Sequence, residues 1–305
     1  MGMLRPLVTV VMATNRAGEF LDEALSSLAA QTEPRFELIA VDDGSPDPGA
    51  VARAVGSVPR STLIRQEPAG PAAARNAAVQ LAEGEWLAFL DDDDRWHPER
   101  LAAQLARLRE HPEAVASYCG LRTIDEHGAV LVESDQRAIG GRLDIARRTT
   151  GILLPNLMVS KRAFDDAGGF DPVLRLGEDF DLLLRLAERG SIVFEPRVLV
   201  DYRAHGANVT SRYRELVRAI DGILRQHREA AVARDDGDLV AALDESIRKN
   251  DRFAWWSAAR SAKAALVSRH PLDAAAELLW ALRTAPRGLV DGVGRRLRGG
   301  AAPRR

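Results

Sequence analysis

The sequence predicts an α/β fold in which a doubly wound, mostly parallel sheet is flanked by helices and followed by a helical C-terminal appendage. Two observations support this prediction. Short β-branched runs alternate with amphipathic segments over the first two thirds of the chain, and the composition changes after about residue 211. Strands that alternate with helices in this way are typical of βαβ units and therefore of a parallel sheet.

The first hundred residues contain four strand patterns separated by helical or turn segments. The predicted strands are apolar and largely β-branched, and they cover residues 7–11, 36–41, 62–65 and 86–90. The predicted helices have apolar residues at a spacing of three or four, and they begin near Phe20, Pro71 and Pro98. A proline-rich turn is expected after Ser45. Order and spacing together predict that these strands are parallel neighbours.

The pattern weakens between residues 115 and 151, where we expect strands and loops. Strands are predicted again at 152–160 and 192–200, with helices at 161–167 and 180–188 and Gly190 as a C-terminal cap. We therefore divide the chain into a first domain at 1–211 and a helical C-terminal region at 212–305.

Composition excludes several classes of protein. The 305 residues are 46% hydrophobic and 28% charged, which is typical of a soluble globular protein. Lys and Arg number 42 against 44 Asp and Glu, so nucleic acid is not an expected partner. The single cysteine, Cys119, excludes an internal disulfide framework and is expected to be a small core residue in a reducing compartment. No window reaches the length of a membrane span or of a signal-peptide core, which predicts a cytoplasmic location.

The C-terminal region ends in a basic tail behind a group of aromatic residues. The tail arginines are Arg283, Arg287, Arg295, Arg296, Arg298, Arg304 and Arg305, and the aromatic residues are Phe253, Trp255, Trp256 and Trp280. The sequence favours a solvated terminus behind a small helical core. The alternative is peripheral contact of these basic helices with the inner face of the cell membrane.

Polar side chains follow three of the predicted strands. The segments are Thr14-Asn15-Arg16, Asp42-Asp43-Gly44-Ser45 and Asp91-Asp92-Asp93-Asp94. Four consecutive carboxylates form either a solvated turn or a cation site, and their place directly behind a buried strand favours the cation. The carboxyl ends of parallel strands meet at one edge of a sheet, so these segments are expected to lie together. Arg75 could offer its planar guanidinium to a phosphate or a base there, or pair with a carboxylate. Together these groups are those that a nucleoside diphosphate and its metal require.

These segments resemble the inverting glycosyltransferases of family 2, which have the GT-A fold. The resemblance covers about residues 7–211 and rests on six segments in the family's order: residues 10–16, 41–45, 70–76, 89–98, 168–171 and 177–182. It implies that the first domain has the GT-A fold, in which residues 1–98 bind the nucleotide-sugar and residues 99–211 carry the acceptor and catalytic part. The last ninety or so residues resemble nothing that we can name.

The resemblance implies roles at the donor site. Residues implied in nucleotide binding are Thr14, Asn15, Arg16, Asp42, Asp43, Arg75, Asp91 and Asp92. The run Asp91-Asp92-Asp93 is similar to the family's Asp-x-Asp motif, with Mn²⁺ or Mg²⁺ held by Asp93, Asp91 and His205. Which carboxylates of the run bind the metal stays open, because Asp94 could be a ligand or a cap of the next helix.

The resemblance also implies the catalytic groups. Asp179 matches the family's base, which takes the proton of the acceptor hydroxyl, and Glu178 is expected to contact the acceptor or position the loop. Asp181 is expected to support them or to act as a helix N-terminal charge. The structural alternative is that these acids cap the helix that begins at Phe180.

The implied function is metal-dependent, inverting transfer of a sugar from a nucleoside-diphosphate-sugar, with UDP as the expected nucleotide, to a hydroxyl of a glycan or lipid-linked acceptor. This activity would belong to polysaccharide biosynthesis at the cell envelope. One alternative is a sugar nucleotidyltransferase, although Thr14 to Ala17 contain neither the Gly-rich loop nor the lysine of those enzymes. The other is a non-catalytic subunit that binds the nucleotide-sugar.

Overall fold

The computed structural model describes residues 5–205, 212–286 and 288. The chain divides into two compact units, residues 1–208 and 209–305. The predicted domain boundary at residue 211 lies close to this division.

The first unit contains nine strands and seven α-helices in the residues that the structure describes. The strands are β1 (Val8–Thr14), β2 (Phe36–Asp43), β3 (Ser61–Gln66), β4 (Trp86–Phe89), β5 (Arg95–Trp96), β6 (Ala114–Ile124), β7 (Val130–Val132), β8 (Leu157–Ser160) and β9 (Ser191–Arg203). The helices are α1 (Glu19–Ala29), α2 (Pro48–Val55), α3 (Pro71–Gln80), α4 (Arg100–Glu110), α5 (Arg142–Ala146), α6 (Lys161–Asp166) and α7 (Glu178–Leu186). A 3₁₀ turn at Leu154–Asn156 precedes β8.

These strands form one sheet in the order β3-β2-β1-β4-β8-β6-β9-β5, with β7 paired to β6. The first four are mutually parallel, as are β6 and β9. Strand β8 is antiparallel to β4 and β6, and β5 is antiparallel to β9. A parallel-rich sheet with flanking helices confirms the predicted α/β class.

Several segments differ from the sequence prediction. The strand predicted at 152–160 begins only at Leu157, behind the 3₁₀ turn, and helix α5 lies where strands and loops were predicted. Helix α7 ends at Leu186 with Ala187 as its cap, so Gly190 does not cap it. The proline-rich segment after Ser45 contains helix α2, because Asp47 Oδ1 accepts a hydrogen bond from the Ala50 amide at 2.9 Å and Pro48 suits the first helical turn. Strand β6 lies in the stretch where the pattern weakens. It is buried on both faces over most of its length, so its residues lack the alternation by which a half-exposed strand is recognised.

The core of this unit packs β1, β2 and β4 against helices α1 and α4. Val10 and Met12 of β1 belong to the same buried cluster as Leu25 of α1 and Leu105 of α4. This packing fixes the parallel strands in register, so that Thr14 at the end of β1 lies beside Asp42 of β2. The polar residues behind these strands therefore share one edge of the sheet.

The described residues of the second unit include three helices, α8 (Tyr213–Ala233), α9 (Gly237–Val267) and α10 (Pro271–Thr284). Its small core joins Val217 of α8, Ala254 and Ala258 of α9, and Trp280 and Ala281 of α10. No helix in the described part of the chain is long and apolar enough to cross a membrane. The predicted basic tail, from Arg287 onward, lies outside the described residues apart from position 288.

Two glycine substitutions test the packing, and they should change the free energy of unfolding in opposite directions. A Cβ on Gly84 would lie 2.4 Å from the Thr9 backbone nitrogen, so Gly84→Ala should lower the free energy of unfolding by about 1–3 kcal/mol. Gly222 lies exposed within α8, and an added methyl group would meet no atom within 4 Å, so Gly222→Ala should raise the free energy of unfolding by about 0.5–1 kcal/mol. Denaturant unfolding followed by circular dichroism measures both; a stable Gly84→Ala protein would contradict the tight packing.

Candidate active site

The carboxylate run behind β4 is held by side chains from the end of β1. Arg16 Nη2 lies 2.7 Å from Asp92 Oδ1 and 2.7 Å from Asp93 Oδ2, so one guanidinium bridges two acids. Thr14 Oγ1 donates a hydrogen bond to Asp92 Oδ2 at 2.5 Å. Asn15 is exposed beside them. The structure thus brings together the first and third polar segments that the sequence places at strand ends.

Burial changes the acidity of two carboxyls in the run. It raises the pKa of Asp92, with Thr14 and Arg16 acting in the opposite direction. Burial raises the pKa of Asp94 well above its usual range, and the charges of neighbouring aspartates add to this effect. Asp94 Oδ1 accepts a hydrogen bond from the Arg203 amide at 2.9 Å, while its buried Oδ2 has no hydrogen-bond partner among the described residues. Asp94 therefore bonds β9 rather than capping α4.

Arg203, the last residue of β9, anchors this loop from the other side, and sequence reasoning missed it. Its Nε donates to the Asp93 carbonyl oxygen at 2.9 Å, and its fully buried guanidinium pairs with Glu23 of α1. The guanidinium also lies 4.5 Å from the centroid of the Phe20 ring. A charged residue at the end of a buried strand was the available signal.

His205 and Asp93 lie together, as the predicted metal site requires. His205 Nε2 is 2.9 Å from Asp93 Oδ2, and its ring packs on Phe20 with centroids 5.3 Å apart. Among the described residues, no three His, Cys, Asp or Glu side chains are arranged to hold an ion. Asp91 instead faces Arg75.

This donor set nevertheless fits a divalent ion that is shared with a substrate. Mg²⁺ at phosphate sites takes one or two protein ligands and fills its other positions with phosphate and water oxygens. One carboxylate oxygen of Asp93 and one imidazole nitrogen of His205 supply such a partial set, and the buried Oδ2 of Asp94 has no partner in the described part of the site. The residues present are therefore compatible with Mn²⁺ or Mg²⁺ at this position.

A second buried arginine joins two parts of the site that lie far apart in the sequence. Arg75 of α3 donates from Nη2 to Asp91 Oδ1 at 2.7 Å and from Nη1 to Glu178 Oε1 at 2.8 Å. Asp91 follows β4, whereas Glu178 is the first residue of α7. The Arg75 guanidinium, which was predicted to contact a phosphate or a base, thus bonds two carboxylates of the protein. One cation holds the donor-side loop beside the predicted catalytic loop.

Asp179 lies at the N-terminus of α7, directly after Glu178, in an environment that favours its neutral form. Burial, followed by the charge of Glu178, raises the pKa of Asp179 to about 6, while Arg75 acts in the opposite direction. Asp179 Oδ1 accepts a hydrogen bond from the Phe180 amide at 2.7 Å. Gly177 begins the helix with φ 76°, a conformation that glycine adopts without strain. A carboxylate with this pKa is ionised at pH 7 and more basic than an ordinary aspartate.

The glycine pair before this helix is held by contacts from α3 and α7. Asn76 of α3 forms two hydrogen bonds with the Phe170 backbone, at 2.8 and 3.0 Å. Arg185 Nη1, paired with Asp181, donates to the Gly169 carbonyl oxygen at 2.7 Å. Gly169 has φ 68°, and a Cβ there would lie 3.0 Å from Asn76 Oδ1. Asp181 therefore supports the loop through Arg185.

The remaining predicted nucleotide contacts lie at the end of β2 and bond groups of the protein. Asp42 Oδ2 accepts a hydrogen bond from Arg65 Nη1 at 2.5 Å, and Asp43 Oδ1 accepts one from Gln66 Nε2 at 2.7 Å. The parallel register of β2 and β3 places these pairs side by side. Asp43 Oδ2 also accepts from the Gly70 amide at 2.8 Å, which shapes the start of α3. The bonds of these two carboxylates thus organise the β2–β3 end of the sheet edge.

Comparisons with known proteins show which chains this sequence resembles. Residues 9–151 match the family model described as "Glycosyl transferase family 2". An uncharacterized glycosyltransferase of Rickettsia typhi is 28% identical over 218 residues, which are 68% of this chain and 66% of that protein. The chain thus spans about two thirds of that relative's length.

Two further proteins are similar over most of the chain. TuaG of Bacillus subtilis, a glycosyltransferase named for teichuronic acid biosynthesis, is 26% identical over 68% of this chain and 82% of its own. The crystal structure of S. aureus TarS 1-349 in complex with UDP-GlcNAc has a TM-score of 0.59 at 18% identity. It covers 88% of this chain and 89% of that one. Together with the family match, this similarity confirms the predicted GT-A fold.

The raised pKa of Asp179 predicts a pH-dependent gain in stability when its charge is removed. Because the folded-state pKa lies above the unfolded value, ionisation costs stability as pH rises from about 4 to 6, and the full cost persists above 6. Asp179→Asn should therefore raise the melting temperature more at pH 8 than at pH 5. At pH 8 the expected gain in the free energy of unfolding is about 1–2 kcal/mol. Thermal unfolding at both pH values measures this; an equal change at each pH would contradict the shifted pKa.

Proposed function

Because the N-terminal unit of this chain belongs to glycosyl transferase family 2, we propose that it transfers a sugar from a nucleoside-diphosphate-sugar to a hydroxyl with inversion at the anomeric carbon. The proposed donor is a UDP-sugar, in line with the UDP-GlcNAc named for the TarS complex. The proposed acceptor is a glycan or a lipid-linked glycan, in line with the polymer named for TuaG.

The observation that carries this proposal is the bridge made by Arg75. Its guanidinium bonds Asp91, on the loop proposed to face the donor diphosphate, and Glu178, beside the proposed base. An inverting transfer needs the base on the acceptor side and the leaving group on the opposite side of the same anomeric carbon. A rigid link between those two loops supports that arrangement.

In the proposed reaction, the acceptor oxygen forms a bond to the anomeric carbon as the bond from that carbon to the diphosphate oxygen breaks. The Asp179 carboxylate takes the proton of the acceptor hydroxyl, and the nucleoside diphosphate leaves with the electron pair. Glu178 is held by Arg75 beside the base, where its charge helps to raise the pKa of Asp179. This neighbour makes Asp179 a stronger base.

Donor binding is proposed for the strand ends at the same edge. Thr14, Asp42 and Asp43 are proposed to border the base and ribose, with Arg16 and the Asp91–Asp93 run at the diphosphate. Asp93 and His205 are proposed to hold Mn²⁺ or Mg²⁺, whose charge would stabilise the departing diphosphate. Arg16 neutralises the carboxylates of Asp92 and Asp93 in the structure as it stands. We expect it to move toward phosphate oxygens when an ion takes over that role.

We place the reaction in polysaccharide biosynthesis for the cell envelope, on the cytoplasmic side of the membrane. Nucleoside-diphosphate-sugars are charged donors, so an enzyme that uses them works in the compartment that holds them.

Replacement of the base tests the catalytic assignment. Asp179→Asn should lower turnover by about 10²–10⁴-fold, because the acceptor hydroxyl loses its proton acceptor, while donor affinity stays unchanged. In the native protein, kcat should rise tenfold per pH unit below about 6 and level off above it. Release of UDP from UDP-sugars in the presence of acceptor measures both. Asp165→Asn, on the surface of α6, is the matched control, and normal turnover of Asp179→Asn would remove it from this role.

Ligand-dependent melting tests the donor and metal sites without turnover. UDP should raise the melting temperature, and Mn²⁺ should enlarge that rise, because each binds the folded state. Asp93→Asn and His205→Ala should remove the increment due to Mn²⁺ and leave a smaller shift with UDP alone. Asp47→Asn, which affects only the cap of α2, is the control. If no nucleoside diphosphate shifts the melting temperature, with or without Mn²⁺, the donor site is wrongly placed. Pyrophosphate exchange from UTP and a sugar phosphate would instead indicate a nucleotidyltransferase.

A further inference from the structure

Helix α10 presents its large apolar side chains to solvent. Leu272, Leu278, Leu279 and Leu282 are 84%, 41%, 46% and 50% exposed. The side of the helix that packs into the second unit carries Ala274, Trp280 and Ala281 instead. An ordinary surface helix buries its leucines and exposes polar residues, so this arrangement is reversed.

The exposed leucines form one continuous strip along the helix. At 100° per residue, the positions from Leu278 through Leu282, Leu279 and Leu272 cover an arc of about 120°. The exposed alanines within or beside this arc add apolar surface, and Arg283 lies at its edge. A helix of 14 residues extends about 21 Å, so the strip is long enough to lie in the plane of a surface.

Apolar and cationic residues also flank the start of this helix. Leu266 and Val267, at the end of α9, are exposed, as is Arg269 in the turn that follows. Neither Arg269 nor Arg283 forms an ion pair with a carboxylate in the described part of the chain. By contrast, Glu277 is neutralised by Arg214, whose Nη2 lies 2.7 Å from its Oε2. Asp273, in the first turn of α10, is exposed as well, so two exposed arginines stand against one exposed carboxylate and the net charge of this face is positive.

The distribution of charge along the sequence strengthens this conclusion. Residues 252–305 contain eleven Lys and Arg against three Asp and Glu, whereas residues 1–251 contain 31 against 41. Two copies that met through this region would bring together surfaces of like charge, which opposes association. An anionic lipid surface satisfies both features at once, because its headgroups attract the arginines and its acyl boundary accepts the leucines.

We infer that the outward face of α10, with the adjoining α9–α10 turn, binds peripherally to the surface of an anionic phospholipid bilayer. The leucines enter the boundary between headgroups and acyl chains, and Arg269 and Arg283 lie among the phosphates. The helix lies on the membrane and does not cross it. This inference does not depend on the proposed transfer reaction, because it uses only residues of the second unit.

Vesicle cosedimentation of the full chain, without donor or acceptor, tests the inference. The protein should bind vesicles of phosphatidylcholine mixed with phosphatidylglycerol at least about tenfold more strongly than vesicles of phosphatidylcholine alone. Leu272→Glu combined with Leu279→Glu should reduce that binding by at least about tenfold. Val232→Glu, at an exposed apolar position on α8, is the matched control and should bind like the native protein.

A charge variant separates the two contributions. Arg269→Gln combined with Arg283→Gln should weaken binding to the anionic vesicles by about fivefold per arginine and leave binding to the neutral vesicles unchanged. Equal melting of all variants by circular dichroism shows that they are folded. Undiminished binding of the double-leucine variant, or equal binding to both lipid compositions, would overturn the inference. A dimer that forms without lipid, is detected by sedimentation velocity and is abolished in the double-leucine variant would also overturn the inference.

Discussion

Mutual repulsion among carboxylates at one edge of the sheet constrains the arrangement of the whole site. Asp91–Asp94 follow β4 and Glu178 begins α7, and the free-energy cost of gathering such charges is several kcal/mol per buried ion unless partners offset it. Two arginines provide those partners, and a third fixes the backbone. Arg16 bridges Asp92 and Asp93, Arg75 bridges Asp91 and Glu178, and Arg203 holds the backbone of the run from β9. Loss of Arg16 or Arg75 would leave carboxylates of the site uncompensated.

The same arginines create different environments for two adjacent acids. Glu178 is paired with Arg75, whereas Asp179 forms no ion pair with a described residue and is further disfavoured by the charge of Glu178. Its pKa therefore rises to about 6. Two carboxylates placed side by side thus take different tasks, because one is fixed by a cation and the other is left to exchange a proton.

The second unit buries small residues between its helices and exposes large apolar ones. Its core uses alanines and Trp280, which allow close approach of α9 and α10, while the leucines of α10 lie outside. Folding alone does not explain such an arrangement, since burying those leucines would stabilise the helix pair. The exposed strip therefore points to a surface that is supplied from outside the unit.

The sequence by itself determined the architecture of the first unit to a large extent. Apolar runs between polar strand ends located β1, β2 and β4, because a buried parallel strand needs a continuous apolar segment and ends where polar groups begin. Thr14, Asp92 and Asp93 were correctly expected to converge for the same reason. Helix α2 was not recognised, since a single capping residue starts it. Strand β6 lies in a stretch where strands and loops were predicted, but its bounds were not, since burial on both faces removes the alternation.

Only the tertiary structure decided which charges pair. Arg75 reaches Glu178 across 103 positions of sequence and Arg203 reaches Asp93 across 110, and a guanidinium can bond any carboxylate or carbonyl oxygen that packing brings within reach. Local periodicity carries no record of such partners. Likewise, it is the packing of Trp280 and the alanines of α10 that turns the leucines of this helix outward. Composition and spacing specify elements, whereas the neighbours of a side chain depend on how those elements pack.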